Sequence, residues 1–145
     1  MEVKTNSAEE TQKVGYKLAQ KLKAGELICL YGELGSGKTT LIQGIAQGLK
    51  IKKTVPSPTF IIVRRYLVKG RDFKNLYHID LYRIENPKEI GELGLTEIIN
   101  NSENVVCIEW AEKCQKILPK KRIDICFQYL SDNCRRITIF NGKKT

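Results

Sequence analysis

The sequence lacks the long apolar runs of membrane-spanning proteins and the cysteine and histidine spacing of zinc-binding proteins. No apolar run approaches the roughly 18 residues of a membrane span. The chain has one histidine, His78, and none of its five cysteines forms a C-x-x-C pair, which disfavours a zinc site. The first ten residues, MEVKTNSAEE, lack the basic-then-apolar pattern of a secretory signal. We therefore expect a cytoplasmic protein without a membrane span.

Length and composition are those of a small globular domain. The chain has 145 residues, of which 41% are hydrophobic and 28% charged, and no repeat or low-complexity segment interrupts it. This predicts one domain over residues 1–145. Strand and helix patterns alternate early and strands dominate later, which predicts α/β layers with a partly antiparallel sheet edge.

Apolar periodicity and turn residues predict the individual elements. Ser7 and Glu10 form a candidate capping box for a first helix, which the pattern ends near Gly25. Strands are predicted at 26–31, 60–66, 76–80, 104–109, 122–129 and 136–140. The remaining helices are predicted at 39–49, 87–93, 96–99 and 111–117.

The formal net charge is +9, from 25 Lys and Arg against 16 Asp and Glu. Such an excess favours polyanionic partners, namely nucleotides, RNA or an acidic protein face. It is equally compatible with a basic surface that has no partner. The basic residues are scattered along the sequence and predict no single cluster for reading a nucleic-acid groove.

The segment Gly32–Thr40 reads GELGSGKTT and carries the most specific signal in the chain. It follows an apolar strand pattern and precedes a helix pattern, the context that a phosphate-binding P-loop requires. Glycines let backbone N–H groups approach phosphate oxygens, and the helix N-terminus adds positive potential. Lys38 is expected to bridge the β- and γ-phosphates of a nucleoside triphosphate, and the Thr39 hydroxyl to ligate Mg²⁺.

A bound Mg²⁺ also needs a carboxylate, and two predicted strands end in one. These are Asp80 and Glu109, and the pattern alone does not decide between them. Thr59 lies on a proline-flanked loop, where switch NTPases place a γ-phosphate-sensing hydroxyl. For His78 we expect a surface position or an indirect role beside the site. Trp110 fits a core aromatic residue as well as a site residue.

The P-loop alone leaves several functions open. The sequence has no N-K-x-D segment, which disfavours a Ras-like GTPase. A partner-dependent ATPase is the main hypothesis. A small-molecule kinase and a nucleotide-gated RNA-binding module remain as alternatives.

Several segments together resemble the TsaE family, formerly called YjeE. They are GELGSGKTT at 32–40, SPTF at 57–60, HIDLYR at 78–83, ELGLTE at 92–97 and IEWAE at 108–112. The resemblance covers nearly the whole chain. It implies a P-loop NTPase-like three-layer fold with a mixed, mainly parallel central sheet flanked by helices.

The resemblance also implies an activity and partners. It implies a cytoplasmic ATPase of tRNA threonylcarbamoyladenosine synthesis that is weak alone and acts on the TsaD–TsaB pair. That pair modifies the adenosine beside the anticodon in tRNAs that read codons starting with A. ATP hydrolysis would reset the pair between turnovers. Any direct contact of this chain with tRNA stays open.

Site residues follow from the resemblance position by position. Lys38, Asp80 and Thr59 are expected to act in catalysis, and Thr39, Glu109 and Asp80 at the Mg²⁺. The resemblance implies that Glu10 and Thr11 border the adenine and that Arg136 contacts the nucleotide, with Arg135 as a competing match. The full expected nucleotide-binding set is Glu10, Thr11, Leu34, Gly35, Ser36, Gly37, Lys38, Thr39, Thr40, Trp110 and Arg136.

Overall fold

A mixed seven-stranded sheet with helices on both faces forms the fold in the computed structural model, which describes residues 1–52 and 62–142. The strands are β1 (Glu2–Thr5), β2 (Leu27–Tyr31), β3 (Val63–Leu67), β4 (Asn75–Asp80), β5 (Asn104–Glu109), β6 (Arg122–Tyr129) and β7 (Arg135–Gly142). The helices are α1 (Ala8–Lys21), α2 (Lys38–Gly48), α3 (Pro87–Glu92), α4 (Leu95–Asn100) and a 3₁₀ helix (Ala111–Ile117).

The sheet is parallel at its centre and antiparallel at both edges. Its strand order is β1-β7-β6-β2-β5-β4-β3. Strands β6, β2, β5 and β4 pair in parallel, whereas β7 and β1 on one side and β3 on the other pair antiparallel. The expected mixed α/β sheet with a parallel centre is confirmed, and the antiparallel pairing extends to both edges.

The helices divide into two layers because each sheet face buries its own apolar cluster. Residues from α1 and α2, such as Ala19 and Leu41, pack on one face against β2 and β6. Residues from α3, α4 and the 3₁₀ helix, such as Ile90 and Leu95, pack on the other. Strand β5 contributes to both clusters and is buried along its whole length, as expected for a central parallel strand.

Two features at the start of the chain differ from the sequence expectations. Strand β1 was not predicted, because four residues with one apolar side chain give no periodicity; its pairing with β7 forms it. Helix α1 begins after Ser7 as predicted, and Ser7 Oγ accepts from the Glu10 N–H at 3.1 Å. The Glu10 carboxylate, however, accepts from the Asn6 N–H at 2.8 Å, so the capping box is only half formed.

None of the helices within the described ranges has the length and apolar character that a bilayer crossing requires.

Helices α1 and α2 cross in close contact because glycines face the neighbouring backbone. A Cβ at Gly44 would lie 2.0 Å from Gln12 O, and one at Gly15 would lie 2.1 Å from Leu41 O. No side chain fits at these distances, so the crossing requires glycine. The contact fixes the first turn of α1 beside the start of α2, where the P-loop ends.

Replacing Gly44 by Ala should therefore destabilise the protein by about 2 kcal/mol or more, since the methyl group overlaps a backbone carbonyl that cannot move independently of α1. The matched control is Gly91→Ala in α3, where a Cβ would meet nothing within 4 Å. That change should be neutral or stabilise by up to about 1 kcal/mol. Urea unfolding of both variants measures the difference, and equal midpoints would contradict the packing argument.

Candidate functional site

The P-loop joins β2 to α2, and its shape depends on glycine. Gly32, Gly35 and Gly37 have φ of 149°, 77° and 110°, conformations that L side chains rarely adopt. A Cβ at Gly32 would also lie 2.7 Å from Ser36 Oγ and 3.0 Å from atoms of Phe127. Phe127 on β6 thus packs directly under the loop. The loop is built as the sequence motif predicts, with Gly37 at the N-cap of α2.

Lys38 is folded back onto its own loop. Its Nζ donates to the carbonyl oxygens of Gly32 and Glu33, the latter at 2.9 Å, and lies 4.3 Å from the centre of the Trp110 ring. Burial lowers the pKa of the Lys38 ammonium, although nearby carboxylates, Glu109 foremost, oppose that shift. These carbonyls are neutral acceptors, so anionic phosphate oxygens would be stronger partners for the ammonium.

A buried carboxylate, Glu109, lies beside the first turn of α2. The side chain is 3% exposed, and its two oxygens accept from Thr39 Oγ1 at 3.0 and 2.8 Å. On the other side, His78 Nε2 lies 2.6 Å from Glu109 Oε2. His78 is itself buried, so the surface position considered for it is wrong, and it contacts the site indirectly through Glu109. This three-residue contact joins β4, β5 and the P-loop helix.

Asp80 lies next to Glu109 because the two residues are register partners on β4 and β5. Its Oδ1 accepts from the Tyr82 N–H at 3.0 Å. Burial raises the pKa of the Asp80 carboxyl, and the charge of Glu109 raises it further. Asp80 and Glu109 therefore lie side by side, as expected for two acids that end neighbouring strands.

The two carboxylates and the Thr39 hydroxyl supply the hard oxygen donors that Mg²⁺ prefers. Among the described residues, no three His, Cys, Asp or Glu side chains are grouped to hold a metal ion by themselves. The side chains therefore fit a cation that takes further oxygen ligands from nucleotide phosphates and water, which is the usual mode for Mg²⁺ in P-loop proteins.

Aromatic side chains form one wall of the site. Trp110 directly follows Glu109 in a left-handed conformation, with φ of 60°, and its ring centre lies 5.2 Å from that of Tyr82. Lys113 holds this wall, since its Nζ donates to Tyr82 O at 2.6 Å and to Ile84 O at 2.9 Å. Trp110 is half-buried and faces Lys38, so it belongs to the site as well as to the adjoining core. Tyr82 and Lys113 were not predicted.

A cavity of about 320 Å³ opens above the loop. It is lined by Ser7, Ala8, Thr11, Leu34, Gly35, Ser36, Gly37, Lys38, Thr39, Thr40, Asp80, Tyr82, Glu109, Trp110, Asp132, Asn133 and Arg135. The structure thus brings together the predicted residues of the P-loop, both carboxylates, Trp110 and Thr11. Thr59 lies outside the described residues.

Two predicted residues do not line this cavity. Glu10 instead binds the Asn6 N–H, because one helical step of about 100° separates it from Thr11. Arg136 points to the other face of β7, where its Nε lies 3.0 Å from Glu2 Oε2. Its neighbour Arg135 lines the cavity and donates from Nη2 to Gly35 O at 3.1 Å. Neighbouring residues of a strand point to opposite faces, so only one of the two arginines can face the cavity. The register of β7 determines that it is Arg135.

The chain is similar to known proteins over nearly its whole length. A family model described as "Threonylcarbamoyl adenosine biosynthesis protein TsaE" matches residues 5–137. The chain belongs to the TsaE family. This is a P-loop-type nucleotide-binding family of tRNA threonylcarbamoyladenosine biosynthesis, and the loop described above is the P-loop of this chain.

Individual TsaE relatives and a solved structure agree with this. The tRNA threonylcarbamoyladenosine biosynthesis protein TsaE of Bacillus subtilis is 38% identical over 135 residues, covering 93% of this chain and 82% of the relative. The protein of the same name from a Nostoc species is 41% identical over 138 residues, covering 92% and 82%. The crystal structure of Bacillus subtilis YdiB superposes with a TM-score of 0.81 at 31% identity, covering 99% of this chain and 86% of that one.

The raised pKa of Asp80 gives a prediction for stability without nucleotide. Asp80→Asn removes a desolvated charge beside Glu109, and the amide oxygen can still accept from the Tyr82 N–H, so stability at pH 7 should rise by up to about 1 kcal/mol. Because the pKa is raised on folding, the gain should be full above the folded pKa and vanish at acid pH, where the wild-type carboxyl is protonated.

The measurement is thermal unfolding of wild type and Asp80→Asn between pH 4 and pH 8. Glu85→Gln, an exposed site with the same charge change, is the control and should show no comparable gain. A gain for Asp80→Asn that is independent of pH would contradict the electrostatic cause.

Proposed function

We propose that the chain is the ATP-binding and ATP-hydrolysing component of the tRNA threonylcarbamoyladenosine machinery and that it acts in the cytoplasm on the TsaD–TsaB pair. The observation that carries the ATPase part is the contact of Thr39 with Glu109 beside the P-loop lysine. That contact supports the proposal, because a hydroxyl and a carboxylate beside the P-loop are the kinds of group through which P-loop proteins hold Mg²⁺. Family membership supports the part that concerns tRNA modification.

Each side chain then has a defined task. Lys38 would exchange its loop carbonyls for the β- and γ-phosphates of ATP, and Thr39 with Glu109 or Asp80 would hold Mg²⁺. Mg²⁺, when bound, neutralises charge on the phosphate oxygens. The second carboxylate would orient the attacking water, which is a positional role. Thr59, carried over from the family resemblance, would sense the γ-phosphate.

His78 and Trp110 support these groups. The hydrogen bond from buried His78 fixes the orientation of Glu109, and the Trp110 ring limits water access on the Lys38 side. The site thus supplies binding, charge neutralisation and water positioning. The chemistry it can perform is transfer of the γ-phosphoryl group, to water in our proposal.

The proposal is tested by phosphate release from ATP by the purified chain, alone and with TsaD–TsaB. We expect slow release alone, a clear increase with the pair, and loss of at least about 100-fold in Lys38→Ala, because a preorganised charge at the phosphates is removed. Lys116→Ala, an exposed lysine away from the cavity, should behave as wild type. Activity indifferent to the pair, with a phosphorylated acceptor accumulating, would replace this proposal by the kinase alternative.

The two neighbouring arginines provide a matched prediction for nucleotide affinity. Arg135 lines the cavity and Arg136 does not, so Arg135→Ala should weaken ATP binding about tenfold, as expected for loss of one charge-assisted hydrogen bond. Arg136→Ala should change the affinity less than about twofold. Calorimetric titration with Mg²⁺ and ATP compares them, and a larger loss in Arg136→Ala would contradict the assignment.

A further inference from the structure

A group of exposed lysines lies at the end of the sheet opposite the nucleotide cavity. Strands β2, β4, β5 and β6 all run from this end towards the P-loop, so the two ends are about 15–20 Å apart. We call the group the basic pole, and it consists of Lys23, Lys50, Lys52, Lys69, Lys120 and Lys121. Although they are scattered in the sequence, the fold brings them to one end.

Contacts between their segments show that the pole is continuous. The end of α1 adjoins the turn between β3 and β4, since the Ala24 N–H donates to Asp72 Oδ2 at 3.3 Å. It also adjoins the end of α2, where Gln20 Nε2 donates to Gly48 O at 3.2 Å. Strands β2 and β6 pair in parallel near their first residues, which places the residues before β6 beside those before β2.

Acidic residues at this end do not cancel the charge. The Glu26 carboxylate accepts from the Lys23 N–H at 2.7 Å, and Asp72 binds the Ala24 N–H as noted. Glu103 pairs with Lys74 at 3.2 Å, and Lys74 is not counted in the pole. The two remaining carboxylates, those of Glu26 and Asp72, therefore face six pole lysines and leave a positive excess.

The cavity end has a nearly balanced charge, because Asp80, Glu109 and Asp132 line the nucleotide cavity together with Lys38 and Arg135. The uncompensated lysine charges of the pole thus lie away from the nucleotide site. A polyanion bound at the pole would leave that site accessible, so one molecule can hold both ligands.

The composition of the pole favours a nucleic-acid backbone over a protein face. Protein interfaces are depleted in lysine and have an apolar, aromatic-rich centre, whereas phosphate groups are bound mainly by lysine and arginine. Two large exposed apolar side chains lie near the pole among the described residues, Leu67 on β3 and Phe140 on β7. They lie towards opposite edges of the sheet and so form no continuous apolar centre. We infer that the basic pole binds the phosphate backbone of RNA. The choice of tRNA as that RNA rests on the proposed function.

The test is the binding of labelled tRNA to the full chain, measured by fluorescence anisotropy between 50 and 200 mM KCl. A pole variant changes four lysines to glutamine, K23Q/K52Q/K120Q/K121Q. A control variant carries the same charge change on other exposed lysines, K4Q/K13Q/K88Q/K116Q. Circular dichroism and ATP affinity, which should match wild type in both, verify that the variants are folded.

We expect the pole variant to bind tRNA at least about tenfold more weakly at 100 mM KCl and to reduce the salt slope by about 3, because up to four phosphate contacts are lost. The control variant should lose less than about threefold in affinity for tRNA under the same conditions. Equal losses in both variants, or no tRNA binding by wild type at 50 mM KCl, would overturn the inference. So would a pole variant that binds tRNA normally but is no longer stimulated by TsaD–TsaB, since the pole would then be a protein-binding surface.

Failure of the pole and failure of the ATPase proposal give different results. A wild-type chain that binds tRNA through the pole but never hydrolyses ATP would refute the ATPase and leave the pole standing. A chain that hydrolyses ATP in response to TsaD–TsaB without binding tRNA would refute the pole alone.

Discussion

The burial of the Glu109 carboxylate is the constraint on which the site depends. A carboxylate that is 3% exposed needs hydrogen-bond donors, and here they come from the Thr39 hydroxyl and the His78 ring. Those donors sit on α2 and β4, so satisfying one charge sets the position of both elements relative to β5. The P-loop, anchored at the start of α2, is thereby placed opposite two strand-end carboxylates. The position of the P-loop relative to the two carboxylates thus depends on this one desolvated group.

A second constraint shapes the other side of the cavity. The glycine contacts between α1 and α2 bring the first turn of α1, with Thr11, to the rim of the P-loop. The start of β7 borders the same side of the cavity, where Arg135 donates a hydrogen bond to the Gly35 carbonyl of the P-loop. The side of the cavity next to Glu109 is thus organised by buried charge. The side next to Thr11 is organised by backbone packing and by Arg135. These two sides of the cavity can therefore respond differently to a ligand or a partner.

The sequence predicts those parts of the fold and of the site that depend on local signals, and it misses those that depend on partners distant in sequence. The P-loop, the α/β layering and the pair Asp80 and Glu109 follow from local signals: glycine spacing, alternating elements and acids that end apolar strands. Strand β1, the choice of Arg135 over Arg136 and the burial of His78 depend on register and on partners distant in sequence. The basic pole was missed for the same reason, since its lysines come together only after folding.

In our proposal, this site exchanges its internal contacts for those of Mg²⁺ and ATP. A crystal structure with Mg²⁺ and a non-hydrolysable ATP analogue tests it most directly. We predict that Lys38 Nζ leaves the Gly32 and Glu33 carbonyls for phosphate oxygens, and that Thr39 Oγ1 and one of the two carboxylates face the ion. A structure in which the nucleotide binds while Lys38 stays on the loop carbonyls and Thr39 on Glu109 would contradict it.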